Sequence, residues 1–375
     1  MKTWAILLLT LASGAAAQSP KLQDVQAAIE HKDYATALRI VRPLAEGGDA
    51  PAQSVLGSMY AFGLGVLRSY TEAVNWNRKS AAQGFPEAQY QLGTAYLLGQ
   101  GVAQNNTEAI NWLRKAADQG HPGAQANLGY AYLIGQGVPR NYTEALNWLR
   151  KAADQNDPQA QGNLASMYAS GEGIAKNPAE AFKWYRKAAD QGAAIAQFVV
   201  AMDYAGGLGV PKDENAATSW FRKAADQGVA EAQANLGVAY AGGLGVAKDP
   251  AEAVRWSSKA AQQGLPQGQE NLRRLAEEGY VPAQNELGLT YEKGWGSLKI
   301  DAEAVTWYRR AAEQKFAAGQ FNLGRMYAAG KGTRQSDVEA YKWFSLAAAQ
   351  GHADARKQMA EVAKRLTAEQ IAQAK

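Results

Sequence analysis

The chain has 375 residues, of which 47% are hydrophobic and 20% charged, with a formal net charge of +4 at neutral pH. That balance can bury a core, which excludes a disordered chain, and so small a positive excess gives no footing for a nucleic-acid partner. There is no cysteine, which excludes disulfides and leaves packing alone to hold the fold.

Residues 1–17 read as a secretory signal peptide. Lys2 precedes an apolar stretch from Trp4 to Ala12, and Ala15 and Ala17 form an A-x-A cleavage signal before Gln18. The apolar stretch is too short to span a bilayer and no second run of ~20 apolar residues follows, so no membrane span is expected. A short, Ala-rich signal is bacterial in character, so the mature chain is expected in the periplasm or outside the cell.

Residues 18–51 follow as N-terminal capping helices, with "DYATALRIVRPLAEGGDA" reading as a helix that leads into the first of a series of repeats. The series is announced by near-duplication: "TAYLLGQGVAQNNTEAINWLRKAADQ" from Thr94 to Gln119 returns as "YAYLIGQGVPRNYTEALNWLRKAADQ" from Tyr130 to Gln155. Trp76, Trp112, Trp148, Trp184, Trp220 and Trp256 are 36 residues apart, as are Trp307 and Trp343. Each copy begins with a small residue and Gln, at Ala52, Ala88, Ala124, Ala160, Ala196, Ala232, Ala283 and Gly319. A fixed period of this length means stacked supersecondary units, none of which can bury its own apolar face.

Each unit reads as two helices, so the fold class is all-α. Ala124, Leu128, Ala131 and Tyr132 fall at helical spacing, and Gly135 closes that helix. The second helix is expected to start near Thr143 as N-cap, with Ala145, Trp148, Leu149 and Ala152 on its apolar stripe and Asn156 or a glycine at its end. Gly135-Gln136-Gly137 could suggest a phosphate loop, but such loops follow a strand and work once per site. Here the motif follows a helix and recurs at Gly99, Gly171, Gly207, Gly243, Gly294 and Gly330, which marks turn glycines. By the same recurrence, the tryptophans read as core, against a ligand-stacking ladder.

Repeats one to six occupy 52–267 and repeats seven and eight 283–354. Between them "GQENLRRLAEEGYVP", 268–282, begins like a first helix at Asn271-Leu272 and ends like a second at Ala276 to Gly279, predicting a single helix and a bend in the superhelix. Residues 355–375 read as a charged C-terminal capping helix, since a solenoid needs polar ends.

The pattern A-x-x-x-L-G-x-x-Y-x-x-G-x-G-V followed by A-x-x-W-x-x-K-A-A-x-Q-G resembles the Sel1-like repeat, a longer relative of the tetratricopeptide repeat. The resemblance covers 52–354 and implies an α/α solenoid, a right-handed superhelix of helix hairpins, acting as an adaptor in protein assemblies rather than as an enzyme. A cysteine-rich branch of similar proteins is associated with β-lactams; the lack of cysteine places this chain outside it.

No catalytic, metal or cofactor constellation is found. His31, His121 and His352 lie far apart, and no H-E-x-x-H, C-x-x-C or nucleophile elbow occurs. Glu108, Glu144, Glu180 and Glu252 recur at second-helix starts, where the helix dipole explains them. Arg114-Lys115, Arg150-Lys151, Arg186-Lys187 and Arg222-Lys223, close to Asp118, Asp154, Asp190 and Asp226, read as a solvated face of i,i+3 and i,i+4 pairs, against a track for an anionic polymer.

One column resists a bland explanation. Gln91, Asn127, Asn163, Asn235, Glu286 and Asn322 precede the leucine of successive first helices, with Val199 as exception, and Asn271 holds the place in the lone helix. Asn is a poor helix former, so either it bonds a neighbouring repeat and sets the stacking, or it contacts an extended ligand on the concave face. Under the second reading the binding face comprises Gln91, Asn127, Tyr130, Asn163, Met167, Met202, Asn235, Asn322 and Arg325. Two function classes remain: an exported scaffold that binds a protein or peptide, and a cell-envelope polysaccharide-binding factor or hydrolase-like enzyme that contacts a glycan.

Overall fold

The structure, a computed structural model, describes residues 20–374. The signal peptide expected at 1–17 lies outside them. Twenty-one α-helices and no strands occur among the described residues. The chain divides into two compact units, 1–188 and 189–375.

Unit 1 opens with α1 (Pro20–Glu30) and α2 (Tyr34–Glu46), followed by the hairpins α3 (Ala50–Phe62) with α4 (Tyr70–Ala82), α5 (Pro86–Leu98) with α6 (Asn106–Asp118), and α7 (Pro122–Ile134) with α8 (Tyr142–Asp154). Then come α9 (Pro158–Ser170) and α10 (Pro178–Asp190), whose last residues pass the division. Unit 2 holds α11 (Ala194–Gly206) with α12 (Glu214–Asp226), α13 (Ala230–Gly242) with α14 (Pro250–Gln262), the lone α15 (Pro266–Glu277), α16 (Val281–Lys293) with α17 (Asp301–Glu313), and α18 (Ala317–Ala329) with α19 (Asp337–Ala349). It ends in α20 (Ala353–Ala363) and α21 (Ala368–Gln373). From α1 to α9 in unit 1 and from α11 to α20 in unit 2 each helix packs on the next, the stacking of an α/α solenoid.

The boundaries have local causes. First helices start two residues before the expected alanine, because the residue after the preceding turn is the N-cap: in α7 the Nδ1 of His121 accepts the Ala124 N–H at 3.1 Å, and Pro122 fills the first turn. Second helices start at their caps too. In α8 the cap is Asn141 rather than the expected Thr143; its Oδ1 accepts the N–H groups of Thr143 and Glu144 at 3.0 and 3.2 Å. Thr143 is already inside the first turn. Gly135 ends α7 at φ 77°, and Gly137 follows at φ 73°, where a Cβ would stand 2.6 Å from the Asn106 carbonyl oxygen. Both glycines are therefore required by backbone shape and close approach.

Alanines line the seams between helices: Ala116, Ala117, Ala124, Ala145, Ala152 and Ala160 are buried together with Leu113, Leu128, Leu149 and Leu164. Each buried leucine contributes about 1.5–3 kcal/mol relative to exposure. The helices are tied by glutamines. Gln125 on α7 donates to the Ala117 carbonyl of α6 at 3.1 Å, and Gln89, Gln161, Gln233, Gln284 and Gln320 do the same with the alanine eight residues upstream.

The lone helix serves two roles. Its first half behaves as a first helix, with Asn271 donating to the Ala234 carbonyl of α13 at 2.9 Å. Its second half behaves as a second helix: Ala276 accepts from Gln284 of α16, and Arg273 bonds the Tyr291 hydroxyl. At the C-terminal end, Arg365 forms a two-pronged pair with Asp337 at 2.6 and 2.9 Å, holding the segment after α20 against α19.

Candidate protein-binding face

The residues singled out from sequence lie on the first helices, and most of the polar ones bond a neighbouring helix. Gln91 of α5 donates to Ser58 of α3 at 3.0 Å and to Glu87 at 2.9 Å. Asn127 of α7 bears on the hydroxyl of the half-buried Tyr90 of α5, whose pKa is raised, chiefly by burial. Glu286 of α16 accepts from Ser258 of α14 at 3.3 Å, and burial pushes its carboxyl up. Asn322 of α18 donates to Asn285 of α16 at 2.9 Å. Two members stand apart: Asn235 donates only to the Glu231 carbonyl of its own helix at 2.8 Å, and the buried amide nitrogen of Asn163 has no hydrogen-bond partner.

Among the apolar candidates, Tyr130 is 39% and Met202 42% exposed. Met167 is not on that face. At 1% exposure it is part of the core with Leu164 and Tyr168, because the residue seven after the repeat's first alanine turns toward the helix neighbours; Ser166, one residue earlier, faces solvent.

Arg325 is engaged rather than free. It reaches Glu292 of α16 at 2.8 Å and Asn322 at 3.0 Å, and the Tyr308 hydroxyl of α17 donates to the other Glu292 oxygen at 2.8 Å. Burial pushes the Glu292 carboxyl up, but the bonds from Arg325 and Tyr308 and the guanidinium charge outweigh it, and the net shift is downward. The Tyr308 hydroxyl is shifted upward, mainly by burial, then by the Glu292 charge. Glu292 holds the place that Leu97 and Leu133 hold in their repeats. This ion pair escaped sequence reasoning, although Glu292, a charge in a column otherwise held by Ala or Leu, was its visible signal.

The second-helix columns correct another expectation. The arginines and lysines are not merely a solvated face of paired charges. Lys79, Lys115, Lys151, Lys187, Lys223 and Lys259 sit over the rings of the tryptophans three residues earlier, at 3.6–4.2 Å from ring centre. Arg114, Arg150, Arg222 and Arg309 bond the hydroxyls of Tyr132, Tyr168, Tyr240 and Tyr327, tying each second helix to the next first helix. The tryptophans themselves divide: Trp184, Trp220, Trp256 and Trp307 are buried, whereas Trp76, Trp112, Trp148 and Trp343 are half-buried. Trp148 and Trp256 also donate to Glu144 and Glu252 at 3.1 and 2.9 Å, a use of those first-turn carboxylates beyond the helix dipole.

Eight segments, 50–85, 86–121, 122–157, 158–192, 194–229, 230–265, 281–316 and 317–352, match the Sel1 repeat. The chain belongs to the Sel1 repeat family, whose members generally act as protein-interaction scaffolds. It is similar to a protective antigen of uropathogenic Escherichia coli with an SLR fold, at 32% identity, covering 99% of this chain and 92% of that one with a TM-score of 0.60. It is also similar to a Sel1 repeat protein from Oxalobacter formigenes, at 34% identity over 65% of this chain and 98% of that one, with a TM-score of 0.59. No curated protein matches the sequence. No helix among the described residues is long and apolar enough to cross a membrane.

Proposed function

We propose that the chain is an exported scaffold that binds a protein or peptide partner through the face formed by its first helices. Family membership supports the scaffold role, and the signal-like residues 1–17 support export to the periplasm or beyond. The observation that carries the choice of face is the division within the asparagine column. Gln91, Asn271 and Asn322 are spent on bonds between helices, whereas Asn163 in unit 1 and Asn235 in unit 2 make no bond to another helix. The part-exposed Asn235 has hydrogen-bonding capacity left to meet an extended backbone.

The test is site-specific photo-crosslinking in envelope extract, with the probe at Ser166 or Val238 on first helices and at Asn147 on a second helix. Capture of a protein at Ser166 or at Val238, lost when the asparagine three residues earlier on the same helix is replaced by Ala, supports the reading. Capture at Asn147 alone overturns it.

A further inference from the structure

Helix α11 departs from its neighbours along a single stripe. Ile195, Val199, Met202, Asp203 and Gly206 are spaced so that they share one face of the helix. At the same register α13 carries Glu231, Asn235, Val238, Ala239 and Gly242, and α9 carries Gln159, Asn163, Ser166, Met167 and Ser170. Ile195 is 66% exposed, Met202 is exposed, and Leu208 in the following turn is exposed. Polar residues thus serve at the first two positions in both neighbours, where α11 presents Ile195 and Val199, whereas apolar exposure further along is shared, since Leu244 after α13 is exposed like Leu208.

Asp203 is the anomaly within the stripe. Its equivalents Ala131, Met167, Ala239 and Met326 are core residues. Its carboxylate is half-buried, with no side-chain hydrogen bond or ion pair among the described residues, and burial alone pushes its pKa up to about 6. It stands in the last turn of α11, which has no basic residue, so the helix dipole opposes its charge as well. Burial, dipole and lack of a partner all disfavour a carboxylate here. A residue that breaks local rules without internal compensation marks a functional position.

We propose that the α11 stripe binds a segment of a partner protein carrying one Lys or Arg flanked by apolar side chains, with the cation seated on Asp203. This rests on the reading that the first helices bind protein, and names the chemistry of the bound segment. Charge complementarity selects the occupant: a lone carboxylate among apolar side chains favours a single cation and repels an anionic lipid surface.

The experiment selects a random displayed peptide library on the full mature chain. Peptides recovered should share a Lys or Arg with apolar neighbours. A synthetic copy should bind Asp203→Asn about tenfold or more weakly, the loss of one charge-assisted contact, while Asp203→Glu keeps most of the affinity. Asp203→Asn, which removes an unpaired charge at nearly constant shape, should melt higher than the parent. Peptides that dock on the first helices without a basic residue, and bind Asp203→Asn equally, overturn this inference and leave the scaffold reading intact. Recovery of no first-helix binder counts against the scaffold reading itself.

Discussion

Gln155, the residue that closes α8, donates its side-chain amide to the Oε1 of Gln125 on α7 at 2.7 Å, while Gln125 donates its own amide to the Ala117 carbonyl of α6. One buried side chain thus joins three helices. The same relay recurs as Gln119 to Gln89, Gln227 to Gln197, Gln263 to Gln233, Gln314 to Gln284 and Gln350 to Gln320. Replacing Gln125 by Leu strands the buried Ala117 carbonyl, at about 1–3 kcal/mol, while the exposed Gln155 amide keeps its bond to the Lys151 carbonyl. Hydrogen exchange should show the loss confined to α6, α7 and α8, and equal loss throughout unit 1 would contradict a local relay.

The two classes of tryptophan should respond differently to truncation. Trp256→Ala empties a site that is 1% exposed and should cost about 3–5 kcal/mol. Trp148→Ala removes a half-buried ring whose outer face carries Lys151, and should cost about 1–2 kcal/mol. Denaturant melts of both variants decide the matter. Equal costs would mean that exposure does not govern this column.

The Glu292–Arg325 pair in unit 2 predicts a rescue. Glu292→Leu leaves Arg325 without its anion and Tyr308 without its acceptor, for a loss of about 2 kcal/mol given that Arg325 is partly exposed. Adding Arg325→Met and Tyr308→Phe, which restores residues found at the same register as Met202 and Phe344, should recover most of it. A triple variant no more stable than the single one would show that the site needs the ion pair for more than satisfaction of its polar groups.

Two carboxylates should give opposite pH responses. Asp203 has a raised folded pKa of about 6, so the folded chain binds its proton more readily than the unfolded chain; its charge weakens the fold above pH 6, and that penalty fades as pH falls toward 4. The melting advantage of Asp203→Asn over the parent should therefore shrink between pH 7 and pH 4. Glu292, held below the ordinary carboxylate range, stabilises the fold at neutral pH, and its contribution is lost as pH falls through that lowered value. An advantage for Asp203→Asn that is independent of pH would rule out titration of Asp203 as its source.

Export predicts a processed N-terminus. The native protein should begin at Gln18, and intact mass spectrometry of protein purified from its source reads this directly. A mass that retains Met1 to Ala17 would remove the basis for an exported scaffold.

The helical repeat and its turns were legible because they follow from spacing: a 36-residue period, glycines that need positive φ, and alanines along a seam. Glutamine was visible at both ends of the pattern, yet nothing in a linear reading shows that residues 30 apart in sequence share one bond. The start of α8 was misplaced because Asn141 and Thr143 are both good caps and only the backbone path chooses between them. Met167 was assigned outward because a shift of one residue, 100° around a helix, separates the open face at Ser166 from the core. The arginine column looked solvent-facing for a related reason: its partner, a tyrosine hydroxyl 18 residues on, belongs to the next hairpin.

The double role of α15 bears on how such a chain is inherited. Between the sixth and seventh matched segments lie 15 residues where a repeat has 36, so 21 are missing, yet the helix that remains keeps the first-helix contact of Asn271 on one side and the second-helix contacts of Arg273 and Ala276 on the other. An in-frame loss within a duplicated gene segment is therefore survivable when it fuses the front of one helix to the back of its partner, because both seams are remade by the same residues. Recombination among near-identical copies can then lengthen or shorten the array by whole or partial units, and selection is left to act on the individual exceptions that change what a stripe presents.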